Sequence, residues 1–317
     1  KIRSSGTPAP TRALAVTTKS NRRSGDARQQ IIEAILKSRV NTRSLKKPSD
    51  VKRYLKQYFA NVPYEDLEGR SELIMARIAL DHLEFGAERR RGQALLRIFN
   101  ATEKEQGYSS SFTFVEMIND DMPFLVDSVS AAINRHNLAV HITVHPIIFV
   151  KRDESGKLKS IAKAGADDAV RESFIRFAIS REIDPQRLKR LHKEITKVLS
   201  DVRVTVRDWG AMRKRMYETR EQLESGPKGA DPLLRTESQE LLKWLADEHF
   251  TFLGYREYKL RKRGKRTYLN AVKGTGLGIL SRENGKHNSI ELTEEMQRMT
   301  RSRDWLILTK ANSRSTV

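Results

Sequence analysis

Residues Val115–Pro146 read VEMINDDMPFLVDSVSAAINRHNLAVHITVHP, and within this one stretch the chain passes from a strand pattern to a helix pattern and back. The run SSFTFVEMIND, ending at Asp120, alternates as a strand does. From Pro123 onward Leu125, Val126, Val129, Ala132 and Ile133 recur at intervals of three and four, the single apolar face of a helix that closes near Asn137. LAVHITVHPIIFVKRD then returns to a β-rich composition. The break between the first two elements falls on Asp120 and Asp121. Acid pairs at strand ends can ligate metals or act as general bases, whereas an acid followed by Met and Pro also fits a helix N-cap, in which a carboxylate accepts backbone N–H groups and Pro occupies the first turn. No His, Lys or third acid is placed beside the pair by the sequence, so the spacing predicts the cap.

The flanking segments extend this α+β pattern. DARQQIIEAILKS and SDVKRYLKQYFANV have apolar residues at helical spacing, with Asp26 and Ser49 expected as N-caps, and GRSELIMARIALDHLEFGAERR carries the helical lead-in to Arg91. ALLRIFNA is expected to be a strand beside SSFTFVEMIND, LKSIAKA a hairpin partner after ESGK, and RESFIRFAISR a further strand. DPQRLKRLHKEITKVLSDV reads as a helix with Asp184 as N-cap and Pro185 at its first position, and RVTVRDWGAMRKRMYETREQL, which fits either a short strand or more helix, is expected to continue it. The sum is a sheet with helices on one face. The expected organisation is a disordered basic tail over 1–25, whose composition also fits an organelle-targeting sequence, a helical lead-in over 26–91, an α+β domain over 92–223, a Gly/Pro linker over 224–234 and a second, truncated α+β domain over 235–317.

Composition excludes several classes of function. The chain has 317 residues and no cysteine, so disulfides, thiol nucleophiles and cysteine-ligated zinc are ruled out. The sequence contains no apolar run of the ~18 residues a membrane span requires. The net charge of +20 favours polyanions at long range and motivates one rival reading, a basic nucleic-acid-binding protein. That reading requires a contiguous basic face, whereas runs such as GAERRRG and REIDPQRLKRLHKEITK mix both signs and read as solvated faces. The aromatic run HFTFLGYREY can stack on bases but fits a half-buried strand more simply. His141 and His145 in a strand lie about 13 Å apart, too far for one metal. KGTGLGIL lacks the following helix and ribose-binding acid of a dinucleotide site and is read as a turn. No residue is assigned a catalytic, cofactor-binding or metal role.

The succession of strand, Asp-x-Pro, apolar helix and NLAVHIT resembles the start of an ACT domain, a ferredoxin-like βαββαβ regulatory module whose first strand-to-helix turn receives an amino-acid ligand. That turn usually reads Asp-x-Pro-Gly-Leu. Asp121, Pro123 and Leu125 match it, but Phe124 stands where glycine is usual, and a ring there hinders close backbone approach by a ligand. The resemblance implies an ACT-like scaffold whose turn is closed by a packed Phe124, with Asp120, Asp121, Pro123 and Phe124 as a candidate effector or interface turn. The alternative, an independent amino-acid sensor, needs that turn to be open.

Five blocks in order, NDDMPFLVDSV, ESFIRFAISREID, DEHFTFLGYREY, GTGLGIL and TKANSRSTV, resemble the amino-terminal segment of the large bacterial NAD-dependent glutamate dehydrogenases. The resemblance spans roughly Tyr64 to Val317. It implies a very long cytoplasmic enzyme in which ACT-like domains, a PAS-type domain and helical motifs precede a catalytic domain that deaminates glutamate and binds NAD. A segment of this kind is expected to carry no cofactor of its own, to self-associate, to contact the catalytic domain and to be a place where an amino-acid effector acts.

Overall fold

The computed structural model describes residues 26, 29–34, 36–37, 42–63, 66–67, 71–224, 231–281 and 288–300. The expected tail over 1–25, the middle of the expected linker and the block TKANSRSTV lie outside them. Contact density divides the chain at Leu199/Ser200 into two units.

The first unit is built on a six-stranded antiparallel sheet comprising β1 (Leu95–Asn100), β2 (Thr113–Asp120), β3 (Val140–Val144), β4 (Ile147–Arg152), β5 (Leu158–Ile161) and β6 (Val170–Ile179). Its order is β1-β2-β6-β4-β5, with β3 also paired to β6. β3 and β4 occupy successive stretches of β6, Val144 opposite Arg176 and Ile147 opposite Ser173, so together they act as one strand broken at His145–Pro146. The break follows from Pro146, which has no N–H to give to a ladder.

Among the described residues, helical turns at 29–34, four longer helices and a short turn of helix complete this unit, with Ile31 and Ile32 in its core. α1 (Pro48–Tyr58) and α2 (Glu72–Phe85) precede the sheet, α3 (Glu103–Gln106) links β1 to β2, α4 (Leu125–Arg135) links β2 to β3, and α5 (Pro185–Glu224) follows β6. α1 starts at Pro48, whose fixed φ suits a first helical position, with Lys47 rather than Ser49 at the N-cap. α5 starts as its sequence predicts, with Asp184 Oδ1 accepting from Gln186 N at 2.8 Å, and it runs unbroken for 40 residues.

Both faces of the sheet are covered, not one. On the first face Ile118, Phe174, Ile148 and Val150 share a core with Tyr54 and Leu55 of α1 and Ala76, Ala79 and Leu83 of α2. Strand alternation puts Val115, Met117, Ile175 and Phe177 on the other face, and they are as fully buried, beneath the apolar stripes of α4 (Leu125, Val129, Ala132, Ile133) and α5 (Leu191, Ile195, Leu199). The helices preceding the sheet therefore belong to its core. Relative to a βαββαβ module, the last strand is replaced: α5 continues where a strand would follow, and the edge beside β2 is held by β1, from before the module.

The second unit contains the end of α5, α6 (Pro232–Trp244) with Asp231 as its capping side chain, a π-helical turn over Leu245–His249, and small antiparallel sheets. β8 (Tyr258–Arg263), β9 (Arg266–Ala271) and β11 (Ser289–Glu291) form one of these. β7 (Gly254–Tyr255) and β10 (Leu277–Gly278) form the other, and a short α7 (Glu294–Thr300) follows. The glycines of GTGLGIL make the turn into β10; a Cβ on Gly278 would meet the Leu253 carbonyl oxygen at 2.2 Å.

Candidate functional site

Asp120 and Asp121 are not helix caps. The N-cap of α4 is Phe124, and no side chain caps that helix. Asp120 is the last residue of β2, and its neighbour diverges from it because successive residues of a strand point to opposite faces. On the first face Asp120 Oδ1 accepts from Arg89 Nη2 at 2.8 Å and Oδ2 from the Gly92 N–H at 3.0 Å. Asp121 instead takes the Ser173 hydroxyl at 2.8 Å and pairs with Arg171 at 2.6 Å, while Ser173 Oγ meets His145 Nε2 at 3.0 Å.

Arg89 was expected on a solvated helix face; it is fully buried, in the turn after α2. Its Nη2 reaches Glu172 at 2.7 Å, and Arg152 holds the same carboxylate through Nε at 2.7 Å and Nη2 at 2.8 Å. Burial opposes the charge on Arg89, and the hydrogen bonds and fields of Glu172 and Asp120 more than compensate, raising its pKa. Gly156 closes the turn against this arginine: it has φ +94, and a Cβ would stand 2.7 Å from the Arg89 carbonyl oxygen. Only glycine fits there.

A second cluster lies across the middle of the same face. Arg97 of β1, Glu116 of β2 and Arg176 of β6 are cross-strand neighbours in register. Glu116 is buried between the two guanidinium groups, receiving Arg97 Nε at 2.7 Å on Oε2 and Arg176 Nη1 on Oε1. Arg97 also pairs with Asp81 of α2 at 2.5 Å, and Arg176 donates to the Tyr108 hydroxyl at 2.8 Å while lying 3.8 Å above the Phe114 ring. Burial pushes Glu116 toward its neutral form, but His82, Arg176 and Arg97 outweigh it and hold its pKa below the usual carboxylate range. His82, itself fully buried beside Tyr58, is pushed down to about 4 by desolvation.

These arrangements set limits on the chemistry. A carboxylate pinned by one or two guanidinium groups is a poor general base, and Ser173, buried with its proton given to Asp121, is no nucleophile. Among the described residues no group of three acids or histidines can hold a metal. His141 is exposed on β3, hydrogen-bonded to Ser180 and against Phe112, so the two histidines of HITVHP serve separate contacts. Burial lowers the pKa of His145, with Asp121 opposing.

The turn itself differs from its sequence expectation. Phe124 is 43% exposed instead of packed, and it adopts the left-handed conformation, φ +70, that a bulky side chain rarely takes. The backbone there is of the kind glycine adopts without strain, and the ring is carried outward. Sequence reasoning missed Arg89, Arg97, Glu116, Glu172 and Arg176. The available signal was parity: Glu116 lies between Phe114 and Ile118 on one side of its strand, and Arg176 between Phe174 and Ala178 on one side of its own.

Residues 54–195 match the family model described as "Glutamate dehydrogenase, ACT1 domain". The NAD-specific glutamate dehydrogenase of Halomonas elongata is 34% identical over 252 residues, 77% of this chain and 15% of that protein. The NAD-specific glutamate dehydrogenase of Pseudomonas aeruginosa is 31% identical over 209 residues, 65% of this chain and 13% of that protein. The Mycobacterium tuberculosis protein of the same name is 26% identical over 182 residues, 56% of this chain and 11% of that protein. The matches thus cover less than one sixth of each of these relatives.

Proposed function

Because this chain belongs to the NAD-specific glutamate dehydrogenase family, as an amino-terminal segment of it, we propose that it is a non-catalytic part of such an enzyme, serving regulation and subunit assembly. The parent reaction is hydride transfer from the α-carbon of L-glutamate to NAD, followed by hydrolysis of the imine to 2-oxoglutarate and ammonium. NAD binds in the catalytic domain and not in this segment, and the protein works in the cytoplasm. The observation that carries this reading is that Asp120 and Asp121, the acids best placed for chemistry, are both engaged in ion pairs at the end of a packed sheet.

The same geometry supports an assembly role. Among the described strands β1 pairs with β2 alone, which leaves its outer row of N–H and C=O groups for another strand, from a second copy or from the catalytic domain. The turn over Asp120–Phe124 presents an exposed ring at one end of the sheet, a contact point for a partner or for an amino-acid effector. The purified chain, given L-glutamate and NAD, is expected to form no NADH, and sedimentation is expected to show concentration-dependent self-association. NADH formation proportional to chain concentration would overturn the non-catalytic reading, and a monomer at all concentrations would overturn assembly through its own copies.

A further inference from the structure

On the α1/α2 side of the sheet, beyond the Glu116 cluster, lies a cavity of about 220 Å³. Its walls come from Tyr58, Met75, Ile78, Tyr108, Phe114 and Ile142, and it opens beside Ile74, which is 41% exposed. Voids of this size are rare in a packed core, because wall atoms facing empty space lose their dispersion partners. The pocket is open on one side, but water against its aromatic and aliphatic walls finds few of the two to four polar partners each molecule needs, so an apolar ligand displaces it at little cost.

The charge of the back wall is already balanced. Arg176 reaches the cavity but gives its donors to Glu116 and Tyr108, and Arg97 is matched by Asp81. An anion would lose its hydration against the aromatic and aliphatic walls without gaining a counter-ion, and for a cation the lining carboxylate, Asp66, is only partly buried and keeps its own hydration, so pairing with it offsets little of that loss. A neutral one loses little. The Tyr108 hydroxyl accepts from Arg176 and retains a proton to donate, and Ser109 and Ser110 stand among the lining residues, so one or two polar atoms on the ligand can be satisfied.

We propose that this cavity is a binding site for an uncharged, mainly apolar small molecule, of the size of one or two fused rings or a branched aliphatic chain. It lies apart from the Asp120–Phe124 turn: its sheet residues, Phe114, Ala178 and Ile142, are at the opposite end of β2 and β6.

The test is a methyl-detected NMR titration of the chain with indole as a neutral probe, and with benzoate and benzylammonium as charged ones. Indole is expected to shift the methyls of Met75, Ile78 and Ile142 saturably and to leave those of Leu191 and Ile195, on the other side of the sheet, unchanged. Ala178→Leu, which fills the cavity from β6, is expected to weaken binding at least tenfold. Ile74→Trp, at the exposed mouth, does the same without touching the core and stands in if the first variant fails to fold. No saturable shift, shifts that survive Ile74→Trp, or benzoate or benzylammonium binding as tightly as indole would each overturn the proposal. The titration reads binding by this chain alone, so its outcome is independent of whether the enzyme is regulated through it.

Discussion

Replacing Glu116 with Gln removes the one anion between two arginines whose situations differ. Arg97 is 25% exposed and keeps Asp81 at 2.5 Å, so it re-pairs with little loss. Arg176 is 5% exposed and keeps only neutral company among its described contacts, the Tyr108 hydroxyl at 2.8 Å and the face of Phe114. The cost therefore falls on an enclosed cation without its counter-ion, for which about 3–5 kcal/mol is typical. The retained hydrogen bond and a cation–π contact of about 1–2 kcal/mol place the expectation near the lower end, about 3 kcal/mol. Urea denaturation of the chain at neutral pH measures this directly. Asp81→Asn, which leaves Arg97 its Glu116 partner, is expected to cost about 1 kcal/mol or less. Glu116→Leu combined with Arg176→Met and Arg97→Leu removes the three cross-strand charges, leaving Asp81, 25% exposed, to water, and is expected to recover most of the loss. A Glu116→Gln cost under about 1 kcal/mol, or a triple variant as unstable as the single one, would refute the assignment of the penalty to an unpaired buried arginine.

His82, pushed down to about 4 by burial, gives the folded chain a lower proton affinity than the unfolded one, so stability is full above pH 6.5 and falls as pH drops from 6.5 toward 4. The loss is about 3 kcal/mol over that interval, and His82→Phe is expected to flatten the denaturation midpoint between pH 7 and pH 5. Glu116, held below the usual carboxylate range, adds a further loss of stability as pH falls below about 4.5, one that Glu116→Gln lacks. At the turn, Phe124→Gly and Phe124→Ala both remove the exposed ring, but only glycine accepts φ +70 without strain. The Gly variant is expected to be the more stable of the two by about 0.5–1 kcal/mol in urea, and the reverse order would show that the left-handed backbone at this position carries no strain.

Most kinds of elements, their order and the family were legible in the sequence, because hydrophobic period and turn residues act over a few positions; HFTFLGYREY, expected as a half-buried strand, is strand only at Gly254–Tyr255, with Phe250 and Leu253 exposed. The strand of TFVEMIND, the helix from Leu125, the Asp184 cap and the unbroken helix after Pro185 are all local statements, and the structure repeats them. What the two acids of NDDMPF do was not legible. Their environment depends on Arg89, 31 residues before Asp120, and on Ser173, 52 residues after Asp121. The buried charge of Glu116 has the same character: its partner Arg176 is 60 residues away and meets it only because β2 and β6 pair in that register. The sequence also left Phe124 free to pack inward, and the tertiary structure decided otherwise, since the turn into α4 needs a left-handed residue and holds the ring outside the core. A chain states its local periods in its own letters, whereas the pairing of buried charges, the covering of the second sheet face and the direction of one aromatic ring are fixed only when distant segments exclude water from the same space.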